Sequence, residues 1–349
     1  NPGLRSPRAS PGFEEQANTL RAVRVTTDNR PVSRAGLIVN PMSGRGRGKG
    51  VALAEKLRAD SAVTVRVLDQ FAQLPGFLDD MAADGVSDLF ISSGDGTIQE
   101  ILTQIAERKC FPAQPRIALL PHGTTNLTAT DIGLRHRSID AQAAFLRDPR
   151  PTDLRVRHTI RCANPGDGKV RHGMFVGTGA VAVATRFCQE AFNDKGVGGQ
   201  MAVARTLASA VGKYLFTAPN PSDETRLDRP FDITVTANGR TYAKGQQLLQ
   251  MSTTLEKLVL NANPFWGARM GAIRTTVFPY PVPSVLRWML PVMYGGDNRR
   301  GPPNSPSFSS SKLEVASKAI FVIDGEFFDP PTDQPLRLEA GPAFTFLCG

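Results

Sequence analysis

Cysteine is scarce: four residues in 349, Cys110, Cys162, Cys188 and Cys348, with no Cys-x-x-Cys pair. That scatter excludes a zinc cage or a disulfide framework and fits a reducing compartment. The four histidines (His122, His136, His158, His172) lack metal-ligand spacing. No apolar run reaches the about 20 residues that a membrane-crossing helix needs. The greasiest stretch, Val277 to Tyr294, is broken by Pro279, Pro281, Pro283, Arg287 and Pro291, so the chain is expected to touch a membrane without crossing it. Residues 1–32 carry no apolar core of the kind a secretory signal needs. Rich in Pro, Arg and Ser, they read as a disordered or extended tail. No RRM, KH or helix-turn-helix signature is visible, which argues against nucleic acid as a partner. A P-loop is missing as well, and no G-x-G-x-x-G follows the first strand, so neither common nucleotide fingerprint applies.

What is present is the composition of an ordinary globular protein, 41% hydrophobic and 21% charged, with a length that suits about two domains. The formal net charge of +9 favours a polyanionic partner such as nucleotide phosphates or an anionic membrane surface. Oligomeric state is not readable. Apolar runs at Ala35–Asn40, Val63–Leu68, Asp88–Ser92 and Arg116–Leu120 alternate with helical spacing at Val51–Leu57, Leu74–Ala83 and Ile98–Arg108. That alternation predicts βαβ units, hence a Rossmann-like α/β domain with a parallel sheet over residues 33–150. From about residue 151 the texture changes to short strand candidates at 170–176, 231–235, 241–243, 247–252, 272–278 and 319–323. Helices are expected only at 181–192 and 200–214. This predicts a second, mainly antiparallel β domain over 151–339. Residues 298–311, rich in Pro, Ser and Asn, read as a loop.

Three glycine turns follow strands of the first domain: Asn40 to Gly48 (NPMSGRGRG), Ser93 to Thr97 (SGDGT) and Pro121 to Asn126 (PHGTTN). In an open parallel sheet, ligands gather beyond the carboxyl ends of the strands. Glycine lets backbone N–H groups approach phosphate oxygens, and a following helix presents its positive end. Asn40, Ser43, Gly44, Arg45, Ser93, Gly94, Gly96, Thr97, Gly123, Thr124 and Asn126 are therefore candidates to hold a nucleotide's phosphates. Asp95, between two glycines, would be repelled by phosphates unless Mg²⁺ or a reacting hydroxyl lies between. The plainer role is an Asx turn or helix cap. Glu100, one turn on, could orient a ribose or simply favour the helix N-terminus. His122, beside the third turn, could contact the nucleotide, but a solvated or turn-satisfying role is expected.

At these residues the sequence resembles the diacylglycerol kinase catalytic family, which includes sphingosine, ceramide and bacterial lipid kinases and is distantly related to NAD kinases. The family's N-P-x-S-G-x-G is matched by Asn40, Pro41, Ser43, Gly44 and Gly46. Its G-G-D-G-T plus Glu is matched by Gly94, Asp95, Gly96, Thr97 and Glu100, with Ser93 for the first glycine. Its P-x-G-T-x-N-D is matched by Pro121, Gly123, Thr124 and Asn126, with Leu127 for the final Asp. Its late D-G-E is matched by Asp324, Gly325 and Glu326.

The resemblance implies ATP in a cleft between the α/β domain and a β-sandwich domain, Mg²⁺, and a lipid hydroxyl as acceptor. It also implies return of the chain's end, about residues 340–349, to the first domain. Asp324 is favoured over Asp95 as the base that takes the hydroxyl proton, with Asp95 and Glu326 holding Mg²⁺. Ser93 is similar to the sphingosine kinase pattern, so the acceptor could be diacylglycerol, ceramide or a sphingoid base. After Asn263 an acidic D-G-x-L turn of many bacterial members is replaced by Arg269, Met270, Gly271 and Ala272, which leaves a structural metal site there in question.

Phe265, Trp266, Phe278 and the run from Val285 to Tyr294, near Arg287, Arg299 and Arg300, suit either a membrane-facing lip or core packing. The arginines between 135 and 157 read as a solvated face. The expected activity is an ATP-dependent lipid kinase at the cytoplasmic face of a membrane, peripherally bound. The alternatives are an NAD-kinase-like small-molecule kinase on the same scaffold and a non-catalytic basic lipid-binding protein.

Overall fold

A computed structural model describes residues 34–43, 48–123, 127–195, 226–281 and 285–349, with a few isolated positions between 208 and 223. The expected helix at 200–214 falls almost wholly outside these residues. The first half alternates strand and helix. It comprises β1 (Ala35–Val39), α1 (Lys49–Leu57), β2 (Val63–Val67), α2 (Leu74–Ala83), β3 (Asp88–Ser92), α3 (Asp95–Arg108), β4 (Arg116–Leu120), α4 (Leu127–Ile132) and α5 (Ile139–Arg147). β1 and β3 are buried at every position, as strands covered by helices on both faces must be. The strands are parallel in the order β4-β3-β1-β2. Asp88 and Arg116 are register partners on β3 and β4 and form a two-pronged ion pair at 2.5 and 2.7 Å. Leu53, Leu57, Phe145 and Leu146 of α1 and α5 cover one face. Leu78, Ile98, Ile101 and Ile105 of α2 and α3 cover the other.

The second half is mainly antiparallel: β5 (Leu154–Cys162), β6 (Arg171–Gly173), β7 (Phe175–Gly179), β8 (Phe231–Ala237), β9 (Arg240–Thr253), β10 (Ile273–Pro279), β11 (Ser307–Ser310), β12 (Lys312–Ser317), β13 (Phe321–Ile323), β14 (Glu326–Phe328) and β15 (Leu336–Leu347). Among the described residues two helices interrupt it, α6 (Ala180–Lys195) and α7 (Val285–Met293). One continuous path of hydrogen-bonded strands runs β14-β13-β7-β9-β8-β12-β15-β4-β3-β1-β2, with β10 and β11 branching from β9, and β5 and β6 from β15. β15 is the splice. It pairs antiparallel with β12 and β5 and runs parallel to β4 at Phe346 and Ile117.

Several local expectations needed revision. The separate candidates at 241–243 and 247–252 are one strand, β9, which bends between partners. The candidate at 170–176 is two strands, broken at Met174. Part of the expected loop at 298–311 is a strand, β11, paired with β10. β5 escaped notice because its arginines mask its alternation. Arg155 and Arg157 are not a solvated face: both pair with the buried Asp131, at 3.4 and 3.1 Å.

Candidate active site

The described residues of the three turns lie beyond the carboxyl ends of β1, β3 and β4. Asn40 donates from Nδ2 to Thr97 Oγ1 at 2.9 Å, while its Oδ1 accepts the Met42 N–H at 3.0 Å. The hydroxyls of Ser43 and Ser93 lie 3.3 Å apart. These bonds splice the first turn to the second. Gly94 is the N-cap of α3 and Asp95 its first residue. Asp95 caps a different helix: its carboxylate accepts the N–H groups of Leu127 and Thr128, at 3.1 and 3.3 Å, at the start of α4. The second turn is thereby tied to the third. Glu100 accepts a hydrogen bond from Gln104 within α3. Gly123 is described, but Gly44, Arg45, Thr124 and Asn126 lie outside the described residues. His122 bonds Ser92 Oγ, at the end of β3, through Nδ1 at 2.8 Å, so its ring reaches out of its own turn. Burial first, and the Lys49 charge second, push its pKa down to about 4, so it stays neutral.

The late acidic turn faces this assembly. Asp324 has φ 47°, in the left-handed region, and begins the turn between β13 and β14. It is almost wholly buried. Its Oδ1 accepts the Met174 and Phe175 N–H groups at 3.0 and 2.8 Å, and its Oδ2 shares the Met174 N–H at 2.9 Å. The carboxylate thus fills the break between β6 and β7, replacing the ladder bonds interrupted there. A Cβ on Gly173 would stand 2.8 Å from Oδ2, so only glycine leaves room. The exposed Glu326 reaches over the start of α3, where a Cβ on Gly96 would come within 2.7 Å of its Oε1.

Asp95 and Glu326 lie at the start of α3, and the Asp95 charge reaches Asp324. Burial raises Asp324 to about 8, with the Asp95 charge adding to the rise against the N–H bonds of Met174 and Phe175. Burial likewise raises Asp95 to about 6, opposed by its bonds to α4 and helped by Glu326. Adjacent carboxylates with elevated pKa values are poised to share protons or to meet a cation. Among the described residues no group of three or more His, Cys, Asp or Glu side chains converges as a protein-only metal cage. Mg²⁺ rarely uses one, being held by one or two carboxylates and the substrate's phosphates. Asp95 and Glu326 are hard oxygen donors of that kind.

Elsewhere the aromatic run divides. Phe265, Trp266 and Phe278 are buried, with the Trp266 indole N–H donating to the Ser305 carbonyl at 3.2 Å. These are core residues and no part of a lip. Leu290 and Tyr294, by contrast, are 63% and 53% exposed, beside the exposed Arg287, Arg299 and Arg300. No helix among the described residues is long and apolar enough to cross a membrane. Where the acidic turn is missing, Arg269 grips both oxygens of Glu256 at 2.6 and 2.7 Å and Asp297 at 2.8 Å. The guanidinium holds Glu256 down to about 2.

Sequence reasoning missed the anchors Met174 and Phe175, which lie 150 and 149 positions from Asp324. Backbone donors carry no sequence signal.

Residues 34–156 match the family model for the diacylglycerol kinase catalytic domain. No curated protein matches the sequence. Two solved structures from Bacillus anthracis str. Sterne share the fold. One, a crystal structure provisionally assigned as a diacylglycerol kinase, has 15% identity and a TM-score of 0.61, covering 91% of this chain and 97% of its own. The other, a crystal structure of a diacylglycerol kinase, has 14% identity and a TM-score of 0.57 over the same shares.

Proposed function

We propose, on the premise that residues 34–156 belong to the diacylglycerol kinase catalytic-domain family, that this protein is a lipid kinase. It would move the γ-phosphoryl group of ATP to a hydroxyl of diacylglycerol, ceramide or a sphingoid base. The observation that carries this reading is the convergence at the start of α3 of Asn40 and Ser43 with Thr97 and Ser93, of Asp95 with the start of α4, and of Glu326 with Gly96.

The turns and the α3 N-terminus supply N–H donors and positive potential for a triphosphate. Asn40, Ser43, Ser93 and Thr97 supply side-chain donors, and Glu100 lies one turn further along α3 for a ribose. Mg²⁺, which Asp95 would hold together with the nucleotide's own phosphates, would offset phosphate charge. The burial of Asp324 supports a different base. A base needs a free lone pair within reach of the acceptor's proton. Asp324 is buried with both oxygens engaged and its affinity for a proton raised, whereas Glu326 is exposed beside Asp95. Glu326 therefore takes the proton of the attacking hydroxyl, while Asp324 holds the turn that aims it. The exposed Leu290 and Tyr294 with their neighbouring arginines form a lip that meets an anionic bilayer, so that the acceptor is drawn partly out of it.

Labelled ATP offered with Mg²⁺ to vesicles carrying each of the three lipids, and separately to NAD, tests the reading. Label in a lipid is the expected result. Transfer to NAD alone, or to nothing, would overturn it.

A further inference from the structure

Asp95 and Asp324 sit on elements far apart in sequence, so something must hold their separation. α3 carries polar residues at intervals of four, Asp95, Gln99, Thr103 and Glu107, which fall on one side of the helix. The lower half of that stripe grips β6. The His172 N–H donates to Thr103 Oγ1 at 2.9 Å, and its Nε2 lies 2.8 Å from Glu107 Oε1. Its Nδ1 lies 2.8 Å from Thr159 Oγ1 on β5. His172 is almost completely buried. Two residues on, the Met174 N–H holds Asp324. One short path thus runs from the α3 that bears Asp95, through His172, to the N–H groups that bear Asp324.

We propose that His172 is a positioning residue, whose bonds to Thr103 and Glu107 set the spacing of Asp95 and Asp324. The chemistry of its ring agrees. With a carboxylate opposite Nε2, the proton sits there, and Nδ1 accepts from the Thr159 hydroxyl. The groups facing the ring are Glu107 from α3 and Thr159 and Arg161 from β5, with Arg161 also bonding Glu107 at 3.0 Å and Glu339 of β15 at 3.2 Å. Burial outweighs the pull of Glu107 and lowers the His172 pKa, so the clamp is neutral and does not switch near pH 7. Met174 belongs to the same buried apolar cluster as Ile98, Ile101 and Leu102 of α3, which the clamp residues do not form. Loss of the clamp therefore changes a distance and leaves the fold.

This inference uses the acidic pair as placed in the kinase reading, but its test needs neither nucleotide nor lipid. Carboxyl carbon NMR titration of the full chain follows Asp95 and Asp324 in the wild type and in Thr103→Val, His172→Ala and His172→Gln. Thr103→Val removes only the hydroxyl, and the Gln amide can still donate to Glu107. The expected result is a movement of the pair's apparent titration by about half a pH unit or more in Thr103→Val and His172→Ala, with His172→Gln returning toward wild type. An unmoved titration in a folded Thr103→Val overturns the proposal. The same holds if His172→Gln matches His172→Ala. If His172→Ala does not fold, Thr103→Val and His172→Gln decide. A moved titration in a protein that phosphorylates no lipid would leave this clamp standing and remove the kinase reading.

Discussion

Asp324→Asn should make the ligand-free protein more stable, and increasingly so as pH rises. Asn keeps the shape, tolerates the left-handed φ of 47° better than most residues, and its carbonyl oxygen can accept both N–H groups that Asp324 now accepts. What it removes is a carboxyl whose pKa in the fold is about 8 against an ordinary 3.8. Between those values the folded chain holds a proton that the unfolded chain has lost. Stability then falls as pH rises from about 4 and levels off above about 8. At roughly 1.4 kcal/mol per pH unit, the interval from 3.8 to 7 sets a ceiling of about 4 kcal/mol. Asn gives back part of this, because burying an amide with one unpaired N–H costs about 1–3 kcal/mol. The net gain near pH 7.5 is therefore about 1–3 kcal/mol, a few degrees in Tm for a chain of this size. Urea or thermal unfolding of both proteins from pH 5 to 8.5 measures it. A difference that is flat or that shrinks with rising pH would refute the burial argument. Phosphoryl transfer should be largely kept in the same variant, since Asn preserves the N–H bonds through which Asp324 holds the turn that aims Glu326.

Three further outcomes follow from the geometry. Glu326→Gln should lower kcat by about 10²–10⁴ if it is the base, with nucleotide KM and Tm unchanged because the side chain is exposed; a loss confined to KM would argue for binding instead. Gly96→Ala puts a Cβ 2.7 Å from Glu326 Oε1, so the carboxylate must swing aside, and steady-state assays should show about a tenfold or greater fall in kcat with little change in Tm. Leu290→Asp on the exposed side of α7 should weaken binding to anionic vesicles about tenfold or more, given about 1.5–3 kcal/mol for burying a leucine, yet leave turnover of a short-chain, water-soluble acceptor intact.

How much of this was legible beforehand differs by element. The parallel strands announced themselves because strands covered on both faces read as unbroken apolar runs, as in AGLIV and DLFIS. β5 did not, since Arg155 and Arg157 of RVRHTIRC are spent on a buried aspartate that no local pattern reveals. The aromatic run at 265–294 left core and lip equally open, and burial divided it between Phe265 and Leu290.

The glycine turns and the acids beside them are local chemistry: short stretches that need small residues and carboxylates next to strand ends, and so visible in a single chain. Which carboxylate is free to act is not local. Asp324 and Glu326 are two positions apart in the same motif, but one is sealed under N–H groups from residues 174 and 175 while the other stands open to solvent. That distinction arises only when a strand from mid-chain is brought against the late hairpin. Solvation, which sets proton affinity, belongs to the assembled surroundings and not to the sequence of the turn.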